Sequence, residues 1–301
     1  MGRQKSNKRD DVLIKPTSDI FAAVLWSPPK NEPLLRGFIN SVLRDFGAAM
    51  ITEALVLNPF NIKEFAVDKN LILDVRVQDE AKRQYNIEVQ TVPHAGFRNR
   101  SLLYWADTYS SLLRVGEKYS KLVPVKSVIV TEFPIFSKLK NLHTIFEVRA
   151  RENPDILLSD HFQMHFLRLG DMLKRRMEGL NELDRGLQHW MNFFAFGGAL
   201  SEDKMLQLVD HDTLIRQAYQ EFQHFTADGE MREKVRQRQR FLEDQRIYVD
   251  AARDEGKAEG KAEGETGKAI EIARNMKKKG LDPTLIAEVA GLSSAEIKQL
   301  V

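Results

Sequence analysis

The apolar positions of this chain change period from one end to the other, and the changes mark out its regions. Between about residues 17 and 46, "LLRGFINSVL" places Leu34, Leu35, Phe38, Ile39 and Val42 at i, i+3, i+4 spacing, which predicts a helix with one apolar face. "SPPKNEP" ahead of it breaks whatever helix precedes it. From about 51 to 136 the period shortens. Val67 to Val77 and Tyr85 to Val89 alternate apolar with polar and are joined by "QDEAKR", a pattern that predicts a hairpin. "RSLLYWADTYSSLL", from Arg100, returns to helical spacing with Leu103, Ala106, Leu112 and Leu113 as its stripe, and "VKSVIVTEFPIF" reads as a buried strand. Helix, hairpin, helix, strand predicts an α/β fold, with helices packed on a central sheet.

A helical region is expected from about 155 to 250, where Val235, Leu242 and Val249, seven residues apart, hint at a coiled-coil seam. In "EGKAEGKAEGETGKA" a glycine recurs every fourth residue, and each costs a helix about 1 kcal/mol relative to alanine. Residues 255–280 are therefore expected to be a linker or a marginal helix. Residues 281–301 hold two short helices: Pro283 suits a first turn, Gly291 a C-terminal cap, and Ser293 with Glu296 a capping box. The spacing suits a helix-turn-helix, but Lys298 is the only Lys or Arg of this piece, so docking or self-association is preferred to DNA reading. A second copy of the chain is the expected cover for Leu281, Leu285, Ile286, Val289, Leu292 and Ile297.

Composition narrows the classes. With 301 residues, 43% of them hydrophobic, the chain can bury a sizeable core, and its formal charge of +2 imposes no global attraction to nucleic acid. The near-apolar run "MNFFAFGGAL" is too short to span a membrane, and the N-terminus lacks the apolar core of a signal peptide, so a soluble protein is expected. The absence of cysteine excludes disulfides and thiolate zinc and fits a cytoplasmic location. Arg3, Lys5, Lys8 and Arg9 form a basic arm within residues 1–14, and "MREKVRQRQRFLEDQR" is Arg-rich. Both are either solvated surfaces or phosphate contacts.

The hairpin carries the candidate chemistry. Side chains two apart on a strand share a face, so Glu88 and Gln90 project together, and pairing brings Asp74 of the first strand close to them. Two carboxylates and an amide are hard oxygen donors suited to Mg²⁺ or Mn²⁺, with the Val89 carbonyl a further ligand. The plainer reading is the solvated face of an antiparallel sheet. Arg98 and Arg100 in "AGFRNR" either contact phosphates or belong to a solvated loop. "HFQMH" spaces His161 and His165 as a helical zinc pair would, but no glutamate follows His161, and zinc is set aside. The remaining histidines and Trp26, Trp105 and Trp190 read as core or surface residues. No P-loop and no Gly-x-Ser-x-Gly elbow is present, so a nucleotide cofactor and serine hydrolysis are not expected.

The order Asp, then Glu-x-Gln on a hairpin, preceded by "TSDIFAAVLWSPPKNEPLLRGFINSVL" and followed by "RSLLYWADTYSSLLRVGEKYSKLVPVKSVIV", resembles the PD-(D/E)XK nuclease-family transposases, the Rpn-type recombination-promoting nucleases. The resemblance covers about residues 15 to 170, and the Gly-Lys-Glu repeats with the terminal helix pair are similar to the tails of those proteins. It implies a restriction-endonuclease-like core over 15–170, a central mixed sheet flanked by helices, with a helical C-terminal region from 171 to 254 beyond it. It also implies bacterial origin and Mg²⁺-dependent DNA cleavage linked to recombination or transposition. Asp74 and Glu88 match its metal-binding carboxylates, and Gln90 stands where the general signature has lysine. Asp19 matches an acidic position of the first helix, and Arg100 and Tyr104 match residues that face the site and support the substrate phosphate. The chain departs from the pattern in lacking the first-helix lysine and in carrying "FLRLGDM" where relatives show an acidic segment. A glutamine cannot act as a base, so activation of water falls to the metal. A decayed DNA-binding or oligomeric interaction protein on the same fold is the alternative.

Overall fold

The computed structural model describes residues 13–58, 74–93, 95–170, 172 and 183–299. The basic arm, the first half of the run from Val67, His94 and most of the stretch from Asp171 lie outside them. The chain divides into two units, residues 1–238 and 239–301.

The first unit is built on a mixed sheet. Its strands are β1 (Leu55–Val56), β2 (Asp74–Gln78), β3 (Gln84–Gln90), β4 (Val125–Thr131), β5 (His143–Glu147) and β6 (Phe162–Arg168), in the spatial order β1-β2-β3-β4-β6-β5. β2 and β3 form the expected hairpin, with Asp74 opposite Glu88 and Val75 opposite Ile87, while β3, β4 and β6 run parallel. All seven residues of β4 are buried, as a parallel strand covered on both faces requires. The hairpin turn is closed by Asp79, whose carboxylate accepts from the Ala81 and Arg83 amides, from Arg83 Nε at 2.6 Å and from the Tyr85 hydroxyl at 3.0 Å.

One face of the sheet packs on helices α1 (Asp19–Leu25), α2 (Glu32–Asp45), α4 (Arg185–Phe196), α5 (Glu202–Leu208) and α6 (Thr213–Ala227). The stripe predicted on α2 is its buried side: Leu34, Leu35, Phe38, Ile39 and Val42 all enter the core. Trp26 stacks on Phe38 at 5.1 Å between ring centroids and, with Trp190 and Phe194, makes an aromatic cluster under the sheet. The other face is covered by α3 (Phe97–Ser110), packed on Ile129, Met164 and Phe166 through Phe97 and Trp105.

Two expectations fail here. The buried side of α3 is Phe97, Ser101 and Thr108, while Leu103 is exposed. The helix caps a polar row of the sheet, so its buried face is itself partly polar and the leucine stripe misleads. The region from 155 is not helical at its start, because "HFQMH" is strand β6: His161 lies just before the strand and His165 within it, which removes the helical i, i+4 geometry.

Helix α7 (Gly229–Lys278) starts in the first unit, where Met231 and Val235 pack on the core, and runs into the second. Of the two readings for residues 255–280 the chain takes the helix, and a Cβ at Gly256, Gly260, Gly264 or Gly267 would meet open space. Val249 is exposed, so the spacing by seven buries no continuous seam. In the second unit Ala273 packs with Ile286 of α8 (Pro283–Ala290) and Ile297 of α9 (Ser294–Gln299). The tail thus buries two isoleucines against its own long helix, each worth about 1.5–3 kcal/mol, and needs no second copy for that. Leu281, Leu285 and Val289 stay exposed. Asp282 caps α8, Gly291 ends it at a φ of 68°, and Ser293 with Glu296 forms the predicted capping box, the Ser293 amide donating to Glu296 at 2.7 Å. Among the described residues no helix is long and apolar enough to cross a membrane.

Candidate active site at the carboxyl end of the central strands

Strand β3 divides its side chains as the alternation predicts. Tyr85 and Ile87 enter the main core and Val89 packs against it, while Asn86, Glu88 and Gln90 face α3. A buried polar row must find partners. Asn86 Nδ2 donates to the Thr108 hydroxyl at 2.9 Å. Glu88, only 5% exposed, accepts at one oxygen, Oε1, from Gln90 Nε2 at 2.7 Å and from Arg100 Nη2 at 3.1 Å. Arg100 is held there by the rings of Phe97, 5.0 Å from its guanidinium carbon, and Tyr104, at 5.9 Å. Glu88, Gln90, Arg100 and Tyr104 are thus one cluster, anchored half on a sheet and half on a helix. Asp74 stands opposite Glu88 in the ladder, and its side chain lies outside the described residues.

The rim beside this cluster carries groups that the sequence reading did not name. β4 ends at Thr131, the parallel neighbour of Gln90, and the next residue, Glu132, donates its amide to the Gln90 carbonyl at 3.0 Å. The Glu132 carboxylate accepts from Lys15 Nζ at 2.6 Å and from the Thr17 hydroxyl, tying the lead-in to α1 to the end of the sheet. Asp19 follows in the first turn of α1. One of its oxygens accepts from its own helix at the Ile20 amide, and the other is paired with Arg238 Nε at 2.6 Å. A carboxylate immediately after a buried parallel strand was the available signal for Glu132, since ligands of such sheets bind beyond the strands' carboxyl ends. No local pattern announces Arg238.

Arg98 does not join the cluster. Its Nη2 donates to the Ile135 carbonyl at 2.5 Å, and its guanidinium lies over the Phe136 ring, 4.5 Å from the centroid. His189 bonds Asp212, and His143 joins Asp45 at 2.5 Å and His165 at 2.9 Å in a largely buried network. Burial would raise the Asp45 pKa, but the hydrogen bond from His143 and the amide of Asp184 hold it below the usual carboxylate value. Burial, reinforced by the neighbouring His143 and Lys126, pushes His165 well below the ordinary imidazole value.

Among the described residues no three His, Asp or Glu side chains cluster as a metal cage would. The donors at the end of β3 are nonetheless all oxygens: the Glu88 carboxylate, the Gln90 amide carbonyl and the strand's own carbonyls. That set fits a hard divalent cation completed by water.

Searches of curated proteins and of solved structures found no match. Two family models do match. Residues 266–301 fit the C-terminal HTH domain of the Rpn/YhgA-like nuclease family, so the two short helices that the sequence reading preferred as a docking element are similar to a helix-turn-helix. Residues 16–252, most of the chain and the whole of the sheet, fit the PD-(D/E)XK nuclease family transposase model, and the chain belongs to that family.

Proposed function

We propose that the protein is a metal-dependent DNA endonuclease whose reaction centre is the end of β3, and that it serves recombination or transposition. The observation that carries the reading is Glu88, a carboxylate buried at a hairpin register position opposite Asp74 and oriented by both Gln90 and Arg100. A family match alone would give only the fold.

Asp74, Glu88 and the Val89 carbonyl are the residues that would hold Mg²⁺ or Mn²⁺. Bound there, the cation supplies the Lewis acidity that phosphodiester hydrolysis needs. The chain's own groups do the rest. Gln90 is uncharged and donates its amide to Glu88, and in this reading its carbonyl oxygen accepts a hydrogen bond from water and orients it without taking its proton. Arg100 sits beside the carboxylate with its guanidinium braced by two rings, placed to meet substrate phosphate. Asp19, fixed by Arg238 at the neighbouring rim, keeps a further acidic group at the same end of the sheet. The helix-turn-helix then delivers the nuclease to DNA.

Supercoiled plasmid incubated with and without Mg²⁺ tests the reading: the native chain nicks it only with the cation, and folded Asp74→Ala does not. Metal-independent or absent nicking by the native chain supports instead a decayed DNA-binding protein on this fold. Light scattering on a chain lacking residues 255–301 separates two tails: a DNA reader lowers DNA affinity and leaves assembly unchanged, and an oligomerising element lowers the assembly state.

A further inference from the structure

The two outer strands of the sheet end it differently. β1 is only two residues long, which blunts its edge, whereas β5 runs on past Glu147 to Arg149, which still bridges Leu157. Among the described residues β5 has a strand on one side only. Its run "HTIFEVRA" holds no Lys and no Pro, the residues that guard many such edges.

Hydrogen bonding on the occupied side falls to the even positions. The Leu142 and Val148 carbonyls accept from the Arg168 and Leu158 amides at 2.8 and 2.9 Å, and the Ala150 amide donates to the Ile156 carbonyl at 2.9 Å. Alternation along an antiparallel strand then turns the amides and carbonyls of Ile145, Glu147 and Arg149 to the outer edge. The side chains alternate as well. Glu147 and Arg149 share one face, where the Glu147 carboxylate accepts from Gln163 Nε2 at 2.8 Å and from Arg149 Nη2 at 2.6 Å. On the other face Phe146 packs on Phe136 and Phe166, and Val148 follows it. Val148 is 40% exposed, and Leu158 and Ile156, opposite it and next along the hairpin, are 77% and 57% exposed. An open strand edge and an apolar patch therefore coincide.

We propose that β5 pairs edge to edge, antiparallel, with β5 of a second copy of the chain, about a two-fold axis at Val148. Charge selects both the partner and the register. With Val148 opposite the partner's Val148, Glu147 of each chain stands opposite Arg149 of the other on the same face, and opposite charges so placed stabilise a sheet. Moving the axis one residue either way sets Glu147 against Glu147 or Arg149 against Arg149. The contact is isologous, so one strand supplies both halves of each pair. Val148 and Leu158 of the two copies then cover one another on the apolar face. β4 and β6 separate β5 from β3, so the pairing leaves out the Glu88 cluster and is independent of the nuclease reading.

The chain has no cysteine, which permits a thiol scan of the full-length protein. Residues opposed at such an axis lie about 4.5 Å apart at Cα, within reach of a disulfide. Val148→Cys is therefore expected to form a covalent dimer on mild oxidation. Ile145→Cys is not, because six residues of strand at about 3.4 Å each hold its two copies about 20 Å apart. Leu55→Cys, 59% exposed on the β1 edge, is not expected to crosslink either. Light scattering is expected to show a dimer for the native chain and, for Val148→Lys, a loss of dimer affinity of about 10-fold or more from like charges set opposite each other on an edge. A monomeric native chain overturns the proposal. A native dimer that survives Val148→Lys and does not crosslink at Val148→Cys overturns it too, since assembly then uses another surface. Crosslinking at Ile145→Cys in place of Val148→Cys removes the register, and with it the charge pairing on which the proposal stands.

Discussion

Two polar networks sit inside this sheet, and they differ in where they end. The Asp45–His143–His165 chain joins the end of α2 to β5 and β6, and it stops at His165 Nε2, buried without a hydrogen-bond partner among the described residues. The Glu88–Gln90–Arg100 network lies across the sheet on the opposite face, and it runs out to the carboxyl ends of the parallel strands, where Glu132, Asp19 and Arg238 gather. The first is buried at His165 and only partly exposed at Asp45, and it ties a helix end to the sheet. The second reaches the strand ends, the position at which the proposed reaction centre is placed. Burial of charge is common to both networks, so the proposed assignment rests on the position of the second at a strand end.

Substitutions break this comparison in order of size. Glu88→Ala is expected to reduce Mg²⁺-dependent nicking by about 100-fold or more, since loss of even an outer partner of a metal site costs about 10- to 100-fold. Gln90→Lys keeps measurable nicking, because the metal and not this side chain activates water; equal loss in the two variants in a plasmid assay contradicts that division of labour. Asp45→Ala should do the reverse. It strands two histidines and the Asp184 amide, costs about 2–4 kcal/mol in urea denaturation, and leaves activity per folded molecule near that of the native chain.

The first network also sets a pH dependence. A free imidazole protonates near 6.5, whereas His165 in the fold stays neutral well below that, so below 6.5 the unfolded chain takes up a proton that the folded one does not. Its contribution to stability is complete above about pH 6.5 and declines as pH falls through that value. Urea midpoints measured between about pH 7 and 5 should fall, and His165→Gln should flatten the decline. The smallest effect belongs to the rim. Arg238→Ala, which removes a partly buried partner of Asp19, is expected to cost about 1 kcal/mol by the same measurement.

How legible these features were follows from how local they are. The α2 stripe, the hairpin with its Glu88 and Gln90 face, the buried β4 run and the capping box of the tail are all written in spacings of two to four residues. The chain takes each as its spacing predicts. The α3 stripe misled because that helix buries a serine and a threonine over a polar row, and only the sheet beneath it explains why Leu103 points outward. β6 was obscured because His161 and His165 imitate helical spacing within a run too short to tell a strand from a helix. The grip of Lys15 and Thr17 on Glu132 and of Arg238 on Asp19 joins positions more than a hundred residues apart, so no pattern along the chain could have found it.

The central claim is that the second network binds a divalent cation through Glu88, and titration calorimetry of Mn²⁺ into the full chain tests it directly. The account predicts saturable binding by the native protein and its loss in Glu88→Ala, with circular dichroism and thermal unfolding of the variant close to native. Equal Mn²⁺ affinity in a folded Glu88→Ala protein would contradict it.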